Sequence, residues 1–389
     1  MKPLLTGAAR ASVIYFAVLS WMLPYLVAYN VQGLTTRFGL NEAEAGWMVS
    51  AELFALAISA IVTGPQLSRF DKRKVVGFGA GLAFVSLGLS LSNSVPWMFA
   101  VTKILCGAGL GMVVAVVYSI PVSFAHPERF YAHSAMAISI VYSVALFVLP
   151  LIIQAVNTRG LELLELAMLL NTIWFVRKLP DTKADQICAV GQPVPLTREG
   201  NTKRRQLLIS IFVLFLAQSA TVGMVFILAV PLVIDMNHLG IALMLSAVLQ
   251  LPAGFAISKL GNRLGMLFPI FLGTTVLAFV YYSIFLGSSP LAFLVAVALL
   301  STGVTFISPY QLAGIALYDA SGRSSSLGGA LANFGNAAGP ALAGVFYVYL
   351  DASGLGWAAI LLLGVTFLMA SNALRSPHRY KPSIDITPL

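Results

Sequence analysis

Twelve apolar stretches, each near the roughly 20 residues a helix needs to cross a bilayer, divide this chain almost end to end. They run over approximately 11–33, 45–66, 75–93, 96–122, 131–153, 161–178, 206–233, 239–258, 264–287, 290–317, 325–349 and 354–374. Soluble domains carry about a quarter of their residues as Asp, Glu, Lys or Arg. Here the share is 10%, against 59% hydrophobic. Lipid offers no partner to a bare peptide group, and these runs are far longer than barrel strands, so they predict helices. The expected fold class is an all-α membrane protein of twelve transmembrane helices. The first run is too long for a signal-peptide core and reads as a retained helix.

The cations set the orientation. With the N-terminus in the cytoplasm, every Lys and Arg among the chain's 23 falls on the cytoplasmic side except Arg37 and Arg159 in outer loops and Lys103 within a helix. That is the positive-inside pattern. An odd number of spans would destroy it. The expected location is the plasma membrane, a bacterial inner membrane, with both termini cytoplasmic. The net charge of +9 therefore reflects topology and implies no nucleic-acid partner. Cys106 and Cys188 form no disulfide framework.

Two stretches expose an internal repeat. "GPQLSRFDKRKVVGF" (64–78) lies between helices two and three, and a weaker copy, "GFAISKLGNRLGMLF" (254–268), lies between helices eight and nine. The most hydrophilic interval, 179–205, with Pro180, Pro193 and Pro195, separates the halves. The expected organisation is an N-terminal six-helix bundle at 1–178, a cytoplasmic linker at 179–205, a C-terminal bundle at 206–375 and a tail at 376–389.

These loops resemble a signature of the major facilitator superfamily of secondary transporters, Gly-x-x-x-Asp-Arg-x-Gly-Arg-Arg/Lys. The matching positions are Gly64, Ser68, Arg69, Asp71, Lys72 and Arg73, and in the second copy Gly254, Ser258, Lys259, Gly261 and Arg263. The family's acid is Ser68 here, with Asp71 displaced by three residues. Helix four carries Lys103, Gly107 and Gly109 where the family has Arg-x-x-x-Gly-x-Gly. The helix-five antiporter signature, Gly-x-x-x-Gly-Pro, is absent, while Gly335, Gly339 and Pro340 carry that string on helix eleven. The resemblance implies two pseudo-symmetric six-helix bundles that rock about a central site. It also implies a loop that latches the bundles, either weakened by loss of the acid or with Asp71 as its substitute; the alternative is a loop that only anchors the topology.

Two deep charges stand out. Glu52 and Lys103 each lie about seven residues, or roughly 10 Å, below the outer face. Equal depth within one bundle predicts an ion pair. Burial and a nearby cation act oppositely on a carboxyl group's hold on its proton, so a change in the pair's separation would load or release one. The alternative is a permanent pair that orders the bundle. Glu162 and Glu165, in the first turn of helix six near Arg159, are expected at the headgroups. Asp319 and Arg323 are expected in a cytoplasmic loop, as a gate bridge or as a solvated pair. Helices 1, 4, 7 and 10 line the cavity in the family. Their polar and aromatic candidates are Trp21, Tyr25, Tyr29, Asn30, Tyr118, Gln218, Ser219, Tyr310 and Gln311, joined by Tyr142, Gln250, Asn333 and Asn336 from other helices.

The expected function is proton-coupled secondary transport of a small organic molecule, with efflux favoured. The alternative is proton-coupled uptake of an organic anion, and a non-transporting receptor or scaffold ranks below both. The expected partners are the substrate, protons and the bilayer, with the protein a monomer and no cofactor or metal. An enzyme is not expected, because no Ser/His pair at matched depth, His-Glu-x-x-His, aspartate pair or phosphate-binding Gly-Lys loop occurs.

Overall fold

A computed structural model describes residues 7–40, 42–92, 95–120, 127–156, 159–179, 198–261, 263–319 and 322–375. Most of the predicted linker, Cys188 and the tail fall outside these residues. The first half contains α1 (Gly7–Ser20), α2 (Met22–Phe38), α3 (Glu42–Thr63), α4 (Lys72–Ser92), α5 (Pro96–Ser119), α6 (Pro127–Val156), α7 (Gly160–Leu169) and α8 (Thr172–Val176). The second half contains α9 (Arg198–Ala229), α10 (Met236–Val248), α11 (Gln250–Leu260), α12 (Leu267–Phe285), α13 (Pro290–Tyr318) and α14 (Arg323–Leu374).

These fourteen helices make twelve crossings. The first is broken at Trp21 into α1 and α2, the sixth at Leu170–Asn171 into α7 and α8, and the eighth at Leu249 into α10 and α11. The eleventh and twelfth form one continuous element, α14, interrupted only at Asp351 (φ 56°, ψ −176°). Nine helical stretches among the described residues are long and apolar enough to cross a membrane on those grounds alone. The outside is apolar: Trp47, Phe78, Trp97, Phe271, Leu291 and Leu361 are exposed, as side chains facing lipid should be.

Glycine sets how closely the spans pack. A side chain on Gly107 would overlap the Glu52 carbonyl, and one on Gly111 the Leu56 carbonyl, so both let α5 press against α3. Gly109 faces Gly79 of α4 in the same way. Gly303 of α13 and Gly273 of α12 repeat that contact, each 194 positions after its counterpart. This is the small-residue packing that membranes favour, and it places the half-repeat in three dimensions. Gly335 and Gly339 fit α14 onto α9: a Cβ on Gly339 would stand 2.6 Å from Ala220 N.

The two repeated loops both touch the opposite half at the end that carries the basic residues. Gly64 lies under Ser326 of α14, where a Cβ would meet its hydroxyl at 2.8 Å. Gly254 lies against Met136 of α6, and Gly261 (φ 53°) against the Arg129 guanidinium, which an added Cβ would meet at 2.8 Å. Of the alternatives for the first loop, Asp71 as the substitute acid finds no support in its contacts. Its Oδ1 accepts from Arg73 N at 2.9 Å and caps α4, its own helix. Arg73 Nε in turn donates to Leu179 O at 2.8 Å. Lys72 is buried and its ammonium has no hydrogen-bond partner, whereas Arg69 is exposed. Lys259 lies over the Phe255 ring at 5.5 Å, and Arg263 is exposed. The start of α14 is capped from its own half, since Ser324 N donates to Asp319 Oδ2 at 2.9 Å. The Ser68 side chain lies outside the described set.

Candidate functional site

Close approach of α3 to α5 at Gly107 carries Glu52 toward Lys103, one turn earlier on α5. The Lys103 ammonium lies 3.3 Å from Glu52 Oε1. It also donates to Glu165 Oε2 of α7 at 2.9 Å. The three side chains are 5%, 1% and 0% exposed. Cys106, on the turn of α5 that follows Lys103, is a free buried thiol. One ammonium thus faces two carboxyls in a water-poor site. A proton on either carboxyl makes the cluster neutral, and its loss leaves one uncompensated negative charge, which is costly at this depth. The arrangement has two states that differ by one proton.

Glu165 was expected at the headgroups, and the structure corrects that. It lies inside the N-terminal half because α7 turns its Glu162–Glu165 face inward, three residues apart and therefore on one side. Glu162 is buried too, with Oε1 3.0 Å from Arg37 Nη1. Arg37 was read as an outer-loop cation. It is in the last turn of α2 and also donates to the carbonyls of Ser90 (3.2 Å) and Leu91 (3.4 Å). Two acids three residues apart on one side of an otherwise apolar helix were the available signal. Among the described residues the C-terminal half has no charged side chain in the middle of a span: Glu199 and Lys203 pair at 2.7 Å near the start of α9, and Asp235 and Asp319 sit at helix ends.

Away from the Arg129–Gly261 contact at the basic end, the halves meet through neutral groups. Tyr25 of α2 and Gln250, the first residue of α11, are hydrogen-bonded, with Gln250 Nε2 3.1 Å from the Tyr25 hydroxyl. Within the C-terminal half, Gln250 Oε1 accepts from Thr305 Oγ1 at 3.4 Å and Ser246 donates to Ser301 at 2.7 Å, which fixes Gln250 from behind. Sequence reading missed Thr305, Ser246 and Ser301, because Ser and Thr are common on any membrane helix. Trp21, at the break in the first span, donates to the Tyr118 hydroxyl at 2.9 Å and lies 5.6 Å from the Phe215 ring. Tyr118 packs on Gly329 of α14. Phe54 and Phe212 both contact Phe334, at 5.3 and 6.1 Å. Broken helices commonly line transporter sites because their freed backbone groups need polar company. Here two breaks, at Trp21 and Leu249, flank this seam.

The remaining candidates divide. Tyr142 stacks on Tyr25 at 4.6 Å and bonds the Val18 carbonyl, so it backs the seam from inside the first half. Tyr29 is half-buried. Asn30 faces Arg37 and Glu162 across a small void. Gln218 is buried with its Oε1 unpartnered. Ser219 donates to the Asn336 carbonyl, and Asn336 Nδ2 has no partner. Three residues spend their polar atoms on internal packing. Tyr310 donates to Gly261 O at 2.6 Å beside the second repeated loop. Gln311 donates to Ser210 at 3.0 Å, and Asn333 to Gly329 O at 3.0 Å, both fully buried. No group of three or more His, Cys, Asp or Glu among the described residues is arranged to hold a metal.

Comparison with known proteins agrees with this architecture. The family described as Major Facilitator Superfamily matches residues 11–320. A D-xylose transporter of Levilactobacillus brevis is 30% identical over 82 residues, 21% of this chain and 18% of that protein. The niacin transporter NiaP of Acinetobacter baylyi (strain ATCC 33305 / BD413 / ADP1) is 28% identical over 112 residues, 27% of this chain and 25% of that protein. The matched region thus spans a quarter or less of either relative. Among solved structures, the human organic anion transporter MFSD10 (TETRAN) superposes with a TM-score of 0.74 at 15% identity, covering 93% of this chain and 99% of that one. A bacterial homologue of the iron transporter ferroportin, in an outward-facing state with soaked iron, gives 0.71 at 14% identity over 94% and 98%. The proton:xylose symporter XylE gives 0.67 at 15% identity over 93% and 94%.

Proposed function

Because the chain belongs to the Major Facilitator Superfamily, we propose that it is a proton-coupled secondary transporter of a small organic molecule that works by alternating access. One observation carries the coupling: Lys103 held between Glu52 and Glu165 in a site closed to bulk water. In this reading the halves, 1–178 and 206–375, rock about the Trp21–Tyr25–Gln250 seam while the linker tethers them on the cytoplasmic side of the plasma membrane. Loading a proton onto the carboxyl pair frees Lys103 from one partner. That relaxes the contact of α3 and α7 with α5 and favours the alternate arrangement.

Export is the direction we propose, because the seam is aromatic and neutral, which suits a lipophilic or uncharged molecule. Uptake of an organic anion loses its main support, since both sides of Lys103 are taken by carboxyls. The repeated loops at Gly64 and Gly254–Gly261 act as paired latches that close the basic end. The test is flux in proteoliposomes under an imposed pH gradient, with a metabolite panel that includes D-xylose and nicotinate. The wild type should move at least one compound in a gradient-dependent way. Glu52→Gln and Glu165→Gln should keep gradient-free exchange of that compound and lose the gradient dependence. An unchanged pH response in both variants would reject the mechanism.

A further inference from the structure

The buried cluster does not end at Lys103. One turn toward the outer face, Glu162 carries its second oxygen, Oε2, unpartnered, and Asn30 has an unpartnered Nδ2. Both are nearly fully buried, at 4% and 3% exposed. They line the same void, together with Arg37, Phe38 and Phe99, and its volume is about 10 Å³. That is the room one water molecule fills, and such a water needs two or more polar partners. Beyond the void, Arg37 donates to the carbonyl of Leu91. Leu91 in turn lines an open cleft of about 560 Å³ with Ser92, Val156, Arg159 and Leu163. Cleft, Arg37, void, Glu162 and Glu165 follow one another from the surface to Lys103.

We propose that protons reach the Lys103 cluster through the interior of the N-terminal half, from this cleft by way of a water held between Asn30, Arg37 and Glu162, and not along the seam used by substrate. The inference rests on the coupling reading above. The charged and titratable groups facing Glu162 are Arg37 on α2, Lys103 on α5 and Glu165 on its own helix, with Glu52 on α3 and Cys106 on α5 beyond Lys103. A proton arriving on Glu162 Oε2 cancels the attraction that holds Arg37. It then passes to Glu165, whose Oε1 is also unpartnered, and the Arg37–Glu162 pair re-forms behind it. Only O–H bonds break and form, Arg37 keeps all its protons, and the proton count is conserved at each transfer. A separate route lets proton loading proceed while the central site is occupied, which a shared route would hinder.

The test uses full-length protein in proteoliposomes on a solid-supported membrane. A pH jump drives proton binding, and the transient current reports its amplitude and rate with no substrate present. Glu162→Gln should keep the amplitude and slow the transient by about 100-fold, the scale on which a positioned acid–base group contributes to proton transfer. Asn30→Leu keeps side-chain size and leaves the Arg37–Glu162 pair intact. It removes the polar wall of the void and should slow the transient several-fold, so it decides the matter if Glu162→Gln folds poorly. Wild-type rates in Asn30→Leu would overturn the separate route. If Glu165→Gln nevertheless abolished the amplitude, the coupling cluster would stand and only the route would fall. Full amplitude in a Glu52→Gln/Glu165→Gln double variant would overturn the coupling reading itself.

Discussion

Replacing Lys103 with Met tests the electrostatics of the cluster more sharply than any carboxyl change. Met matches the length of the lysine stem, so the substitution deletes the ammonium with little loss of packing. Two carboxyls, 1% and 0% exposed, then face each other with no cation between them. Removing one partner of a buried pair costs about 3–5 kcal/mol, or about two to three and a half powers of ten in the unfolded fraction. Here one ammonium serves two acids, so the loss should fall at the upper end of that range. A neutral carboxyl is far cheaper to bury than a carboxylate. The loss should therefore be largest at alkaline pH and shrink as the medium is acidified and the pair takes up protons. The assay is unfolding in mixed micelles by SDS titration at several pH values. A Lys103→Met/Glu52→Gln/Glu165→Gln variant should recover most of the lost stability at high pH. If Lys103→Met unfolds like the wild type throughout, or if the triple variant is no better, the three groups do not share a dry site and the reasoning fails.

Other substitutions probe the packing around the site. Gly107→Val should push α3 from α5 and cost about 1–3 kcal/mol of overpacking, read as a lowered thermal midpoint together with lost gradient-driven flux; Gly46→Val, where a Cβ meets open space, is the control. Gly329→Val drives a methyl into the Tyr118 ring where the halves close. It should raise labelling of an engineered cysteine at Ser326 from the basic end, without loss of fold. Gln250→Leu removes the hydrogen bond to Tyr25 that joins the halves and should weaken the closed seam by about 1 kcal/mol, seen as faster exchange between conformers by single-molecule fluorescence. Asp71→Ala should cost about 1 kcal/mol as a lost helix cap and leave transport standing, in contrast to a latch acid.

The bilayer made the architecture legible. A fixed hydrocarbon thickness forces length and apolarity on every span, and the positive-inside rule then counts them, so twelve crossings, the half-repeat and the glycine run on helix four could all be read from residues. The Glu52–Lys103 approach followed from equal depth. Glu165 did not, because a first-turn acid normally serves the helix dipole near headgroups, and depth alone says nothing about which side of a short helix faces inward. The same ambiguity misplaced Tyr310 and Gln311. A helix apolar all round has no preferred face to mark the seam, so polar residues serving internal packing look the same as residues lining a pathway. Asp71 stayed ambiguous in the sequence for a local reason: a helix cap and a latch use the same side chain, and it is the Arg73 amide that marks the cap.

The turn at Asp351 has a consequence for how this chain tolerates insertions. With a single non-helical residue between the last two spans, nothing there can absorb a change in length. Adding or deleting one residue would rotate everything downstream by about 100°. Trp357, Leu361 and Leu368 now point outward; after such a rotation they would be driven into the protein, and buried neighbours such as Ala359, Leu363 and Thr366 would turn toward acyl chains. Viable length variants at this hairpin should therefore come as whole helical turns, and an epitope inserted after Leu350 should be accommodated only if it carries a flexible loop of its own.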